Sequence, residues 1–182
     1  NELLSRFYRG GRIIGNVVLP YLDKDDFNSI RDSILMVFDE MSIAGISTSE
    51  ARSSLAIRSP ELSDAQFIFI KNEASSSDRI LTLRGVIGLT ELVKQKDNHN
   101  SKNALSILIE CLNWRKFPTI IGVAANLSSL LKEGIEITSD MNVIQMALHR
   151  LVIETSLTLE EGDIPIEDRL YARLYAASFA NA

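Results

Sequence analysis

An all-α fold is what this sequence predicts, and three observations carry the reading. Apolar residues recur at three- and four-residue steps along most of the chain, and residues able to cap helices stand at the starts of those runs. Only nine glycines and four prolines interrupt 182 residues. A parallel α/β fold needs several recurring strands, and the chain offers one candidate, the run Phe67-Ile68-Phe69-Ile70.

Asp23 is placed to cap the first strongly periodic helix, with Asp25 and Asp26 in the first turn, where carboxylates favour the positive end of the dipole. Phe27, Ile30, Ile34, Val37, Phe38 and Met41 share its inward stripe, and Gly45 stops it. A short helix follows from Ser47–Ser49 through Leu55 and Ile57. Ser59-Pro60 has the form of a cap with proline in the first helical position, leading to Leu62, Ala65 and Phe69. Ser75-Ser76-Ser77 with Asp78 marks a loop and a new start. From Ile80 to Val93 apolar residues cover most of the circumference, and only Arg84, Glu91 and Lys94 form a polar strip. Such a helix belongs at the centre, with Gly85 and Gly88 on one flank, where they either let another backbone come close or only lower helix propensity.

After the polar loop 96–101, Ala104, Leu105, Leu108, Cys111 and Leu112 define a further helix, with Ser106, Glu110 and Asn113 outward. Phe117-Pro118-Thr119 breaks and restarts the chain. Ile120, Val123, Ala124, Leu127, Leu130 and Leu131 form the cleanest stripe, which Gly134 ends. Asp140 is expected to cap a helix with Met141, Ile144, Leu148, Leu151 and Val152 inward. Ile164-Pro165 introduces a last helix through Ile166, Leu170, Leu174 and Ala177.

The expectation is therefore about seven or eight helices, most of them roughly 11 to 19 residues long. From residue 78 onward helix starts fall roughly 20 residues apart, so helix pairs recur about every 40, a spacing that suits a short HEAT- or armadillo-like solenoid of antiparallel pairs as well as an irregular bundle. One domain over 1–182 is expected, with a partly extended leader at 1–22, N-terminal helices at 23–73 and the main helical core at 78–182. The chain starts at Asn1 without methionine, which suggests a domain of a larger polypeptide or a processed product.

Composition narrows function by exclusion. The net charge is −5 and the pI about 5.1, unlike a protein that works mainly by neutralising phosphates. The longest uncharged run, Phe117–Leu131, falls short of a membrane span and contains Pro118 and Asn126. Cys111 alone cannot make an internal disulfide and reads as a small buried hydrophobe, which favours the cytoplasm or nucleus.

Specific chemistry is hard to find. His99 and His149 lie far apart, with one cysteine in the chain, so no metal set forms and no cofactor is expected. Asp23, Asp25 and Asp26 lack the glycine and glutamate of a calcium loop, because Asn28 and Ile34 stand in those places. Gly10-Gly11 and Gly15 are followed by no Gly-Lys-Ser/Thr, and no Gly-x-Ser-x-Gly elbow occurs.

Two places rise above this background as partner-binding surfaces. One is Tyr171, Tyr175 and Phe179, a second stripe on the last helix; the other is the helix end at Trp114 and Lys116. A third segment, Arg6, Arg9 and Arg12 interleaved with Phe7 and Tyr8, has the composition to grip an anion or a nucleic-acid strand. The leading expectation is a non-catalytic helical interaction or scaffold domain whose partner is another protein or a second copy of itself. The alternatives are an oligomerising nucleic-acid-associated protein that uses the three arginines, and an α-helical enzyme whose carboxylates meet only in the fold.

Overall fold

A computed structural model describes residues 21–112 and 117–137, together with positions 142, 144–146 and 149. The chain is all-α, and among the described residues there is no strand. It divides into two compact units, Asn1–Ala104 and Leu105–Ala182.

In the first unit α1 spans Lys24–Ile43, and Asp23 caps it as its sequence predicts, Oδ1 accepting from the Asp26 amide at 2.8 Å. Its C-terminus closes through Gly45 at φ +73°. The Gly45 amide donates to Ser42 O and the Ile46 amide to Met41 O, so the last carbonyls are satisfied. Ile46 and Met41 then meet in one apolar cluster with Phe27, Ile34, Phe38, Ala51 and Leu55.

The inward stripe of α1 is narrower than its periodicity suggests. Phe27, Ile34, Phe38 and Met41 are buried, whereas Ile30 and Val37 are 37% and 41% exposed. Both exposed residues sit on the flank of the stripe, where only the width of the neighbouring element decides burial.

Helix α2 (Ser49–Arg58) buries Ala51, Leu55 and Ala56 but leaves Ile57 exposed. Ser59 makes no side-chain cap, and Pro60–Leu62 forms one 3-10 turn that delivers the chain into α3 (Ser63–Ala74). The apolar run at 67–70 is helical, because it lies inside an unbroken α-helical ladder. Its core face is Ser63, Gln66, Ile70 and Ala74, with Ala65 exposed and Phe69 on the flank, 40% exposed but with its ring against the Arg52 side chain. The expected Leu62–Ala65–Phe69 face is thus displaced, for a reason that lies on α2: a buried arginine needs Gln66 beneath it.

Helix α4 (Arg79–Lys94) starts at Asp78, whose Oδ1 accepts from the amides of Ile80 and Leu81 at 2.8 and 2.9 Å. It contacts both α2 and α3, which also contact each other. The two glycines make that arrangement fit. A methyl on Gly85 would stand 2.2 Å from the Ala74 nitrogen, and one on Gly88 would stand 2.7 Å from Ser49 Cβ. Val86, Leu89 and Leu92 are fully buried, as a central helix requires.

Helix α5 (Ser101–Cys111) runs across the division between the units. In the second unit Leu108, Cys111, Val123, Ala124, Leu127 and Leu130 have no exposed surface, and Leu105 is half-buried. Helix α6 (Phe117–Lys132) ends as α1 does, with Gly134 at φ +76°, the Gly134 amide bonded to Leu131 O and the Ile135 amide to Leu130 O. Ile144 is buried, while Asn142, Gln145 and His149 are exposed. No helix among the described residues is long and apolar enough to cross a membrane.

Candidate functional site

Polar chemistry gathers at three places in the first unit, and the first is Arg52. Its side chain has no exposure, so every donor needs a partner inside. Nε donates to Thr48 Oγ1 at 2.8 Å, Nη1 to Gln66 Oε1 at 2.9 Å and Nη2 to Asp39 Oδ1 at 2.8 Å. The guanidinium carbon lies 3.9 Å from the Phe69 ring centroid and 5.5 Å from that of Phe38. Burial lowers the pKa of Arg52; the hydrogen bond and charge of Asp39 and the charge of Glu73 oppose the shift. The arginine thereby joins α1, α2 and α3.

Glu73 forms the second. Helix α2 begins without a side-chain cap of its own. The Glu73 carboxylate, arriving from the end of α3, accepts from Ser47 Oγ at 2.5 Å, Ser49 Oγ at 2.6 Å and the Thr48 amide at 2.9 Å. A carboxylate at the positive end of a helix satisfies orphan amides and the dipole together. Close by, Arg84 of α4 pairs with Glu50 at 2.6 Å.

The third is a cleft of about 500 Å³ between the end of α2, the 3-10 turn and the α4–α5 loop. Ala56, Ile57 and Pro60 give it an apolar wall; Ser63, Lys94, Lys96 and His99 stand on the polar side. The loop is held to α3 by Asp64, whose Oδ1 lies 2.6 Å from His99 Nε2 and accepts from Asn100 Nδ2 at 2.8 Å. These two hydrogen bonds, Asn100 first, hold the Asp64 carboxyl below its ordinary pKa.

Serine, histidine and aspartate thus converge, but not as a nucleophile with its base. Ser63 Oγ donates to Asn98 Oδ1 at 3.0 Å, and His99 is engaged by Asp64 through Nε2. Among the described residues no buried side-chain nitrogen or oxygen lacks a partner, and no three metal-ligating side chains come together. Burial pushes the Cys111 thiol up to about 12, so it is not a nucleophile near neutral pH.

What remains open is a surface. On α1 the side opposite the buried stripe carries Asp25, Asp32, Met36, Glu40 and Ile43, which fall within about 80° of arc at 3.6 residues per turn. Met36 is 65% and Ile43 88% exposed. Asp32 pairs only on its own helix, with Arg31 at 3.3 Å, and keeps 84% of its side chain exposed.

The residues that sequence singled out for partner or anion binding, Tyr171, Tyr175, Phe179, Trp114, Lys116, Arg6, Arg9 and Arg12, lie outside the described residues. The outer stripe of α1 was not among those expectations. Its signal is present in the sequence as the seven-residue repeats Asp25/Asp32 and Met36/Ile43, which a search for the inward stripe passes over. No family model, curated protein or solved structure matches the chain.

Proposed function

We propose that this chain is a non-catalytic, intracellular helical interaction domain that serves as a scaffold for another protein or for a further copy of itself. The observation that carries the reading is α1. Over 20 residues it buries four large apolar side chains and leaves four others, Ile30, Met36, Val37 and Ile43, exposed on two sides. A helix with apolar residues beyond its buried stripe is suited to receive a neighbour. Support also comes from the polar clusters, where Arg52, Glu73 and Asp64 are occupied in joining helices to one another.

The test is a photo-crosslinking amino acid placed in living cells at position 36, and in a separate experiment at Lys71, an exposed position of α3. Adducts with another polypeptide that form from position 36, vanish when Ile43→Ser is added, and do not form from position 71 are the expected result. Equal adduct yields from both positions would sink the interaction reading.

A further inference from the structure

We infer that the outer stripe of α1 docks a cationic amphipathic helix of a partner protein, an assignment that rests on the interaction reading above and gives the partner its chemistry. The stripe is apolar and acidic together. Met36 and Ile43 are two turns apart, about 10 Å along the axis, and are its anchors. Asp25, Asp32 and Glu40 flank them and are exposed.

No lysine or arginine shares that arc. Lys24 stands off the arc at the start of the helix, and Arg31, also off it, divides its guanidinium between Asp32 and Glu61, each at 3.3 Å. A complementary surface therefore carries apolar side chains two turns apart, with lysines or arginines beside them. Met36 adapts to an anchor of varied shape because its side chain is unbranched and polarisable.

The same charges choose among occupants. Nucleic acid and anionic lipid surfaces are repelled by three carboxylates. A second copy docking α1 on α1 places acid against acid, which costs affinity in the same way. A basic helical segment meets neither penalty, and its length is matched to a helix of 20 residues.

The probe is a synthetic peptide of about 20 residues with leucine at helical three- and four-residue spacing and lysine elsewhere, compared with a peptide of the same pattern carrying glutamate. Binding to the whole chain is read by fluorescence anisotropy at near-physiological salt. The lysine peptide is expected to bind at least about tenfold more tightly than the glutamate peptide. Met36→Ser with Ile43→Ser, and separately Asp32→Lys with Glu40→Lys, are each expected to lower its affinity at least about tenfold. Ile68→Ser with Ile80→Ser removes exposed isoleucines, 56% and 55%, from α3 and α4 and is expected to leave binding unchanged. All these positions are exposed, and circular dichroism checks that each variant is folded. Equal binding of the two peptides, undiminished binding by either α1 variant, or the same loss in the Ile68/Ile80 control overturns the assignment. Should the position-36 adducts form in cells while the lysine peptide fails to bind, the interaction reading stands and the basic partner falls.

Discussion

Gly85 of α4 lies against the backbone of Ala74 in α3, so close that a β-carbon on Gly85 would stand 2.2 Å from the Ala74 nitrogen and 2.5 Å from its Cα. Alanine is ordinarily the better helix former by about 1 kcal/mol. Here the sign reverses, since the atoms in the way are backbone and cannot swing aside. Gly85→Ala is expected to destabilise the chain by at least about 2 kcal/mol, read from the urea midpoint. A midpoint that stays or rises would show that the two helices do not approach so closely.

Arg52 and Asp39 form one ion pair with unequal partners. The arginine has no exposed side-chain surface, and the aspartate keeps 56% of its own. Asp39→Ala lets water reach the site from outside and should cost about 1 kcal/mol. Arg52→Ala removes a buried side chain and strands Gln66, with an expected cost of about 3–5 kcal/mol. Equal losses in the two variants, by chemical denaturation, would contradict this burial.

Glu73 is expected to be as important to α2 as a residue of α2 itself. Glu73→Ala leaves Ser47, Thr48 and Ser49 without their shared acceptor, at a cost of about 1–2 kcal/mol in line with other lost helix caps. Amide exchange of the first turn of α2 should quicken more than that of its last turn. Uniform quickening along the helix would argue against a capping role.

The Asp64 carboxyl, held below its ordinary value of 3.8 by Asn100 and His99, sets a pH dependence. A depressed carboxylate stabilises the folded form above its unfolded pKa, and that contribution disappears as pH falls through the folded value. The tether of the 95–100 loop should therefore hold at neutral pH and loosen below about pH 4. Nuclear magnetic resonance shifts of Asn98 and Asn100 should move in that window, and Asp64→Asn should flatten the response. Shifts that move equally in the variant would remove Asp64 as the cause.

The helical class and the close approach of Gly85 and Gly88 were legible because each is a local matter: a 3.6-residue period, or a residue whose presence inside a helix otherwise carries a cost. The α3 face was not. Phe67–Ile70 gives no direction of its own, and the choice of Gln66 as the inward residue depends on Arg52, fourteen positions away. Periodicity alone places Ile30 and Val37 inward, because a stripe has no visible width until its neighbour is known. The cleft was beyond reach for a similar reason, since His99 finds Asp64 across 35 residues. The outer stripe of α1 is local, carried by the seven-residue pairs Asp25/Asp32 and Met36/Ile43 on the face away from Phe27 and Phe38.

The cap on α2 has a bearing on the order in which the chain takes shape during synthesis. Ser49 is made 24 positions before Glu73, and the helix that begins there has no terminal side chain of its own to hold its first turn. At translation speeds of about 5–20 residues per second, that turn waits roughly 1–5 s after its own emergence for its carboxylate to arrive. In that interval α2 has an open amino end, and it is the synthesis of α3 that closes it.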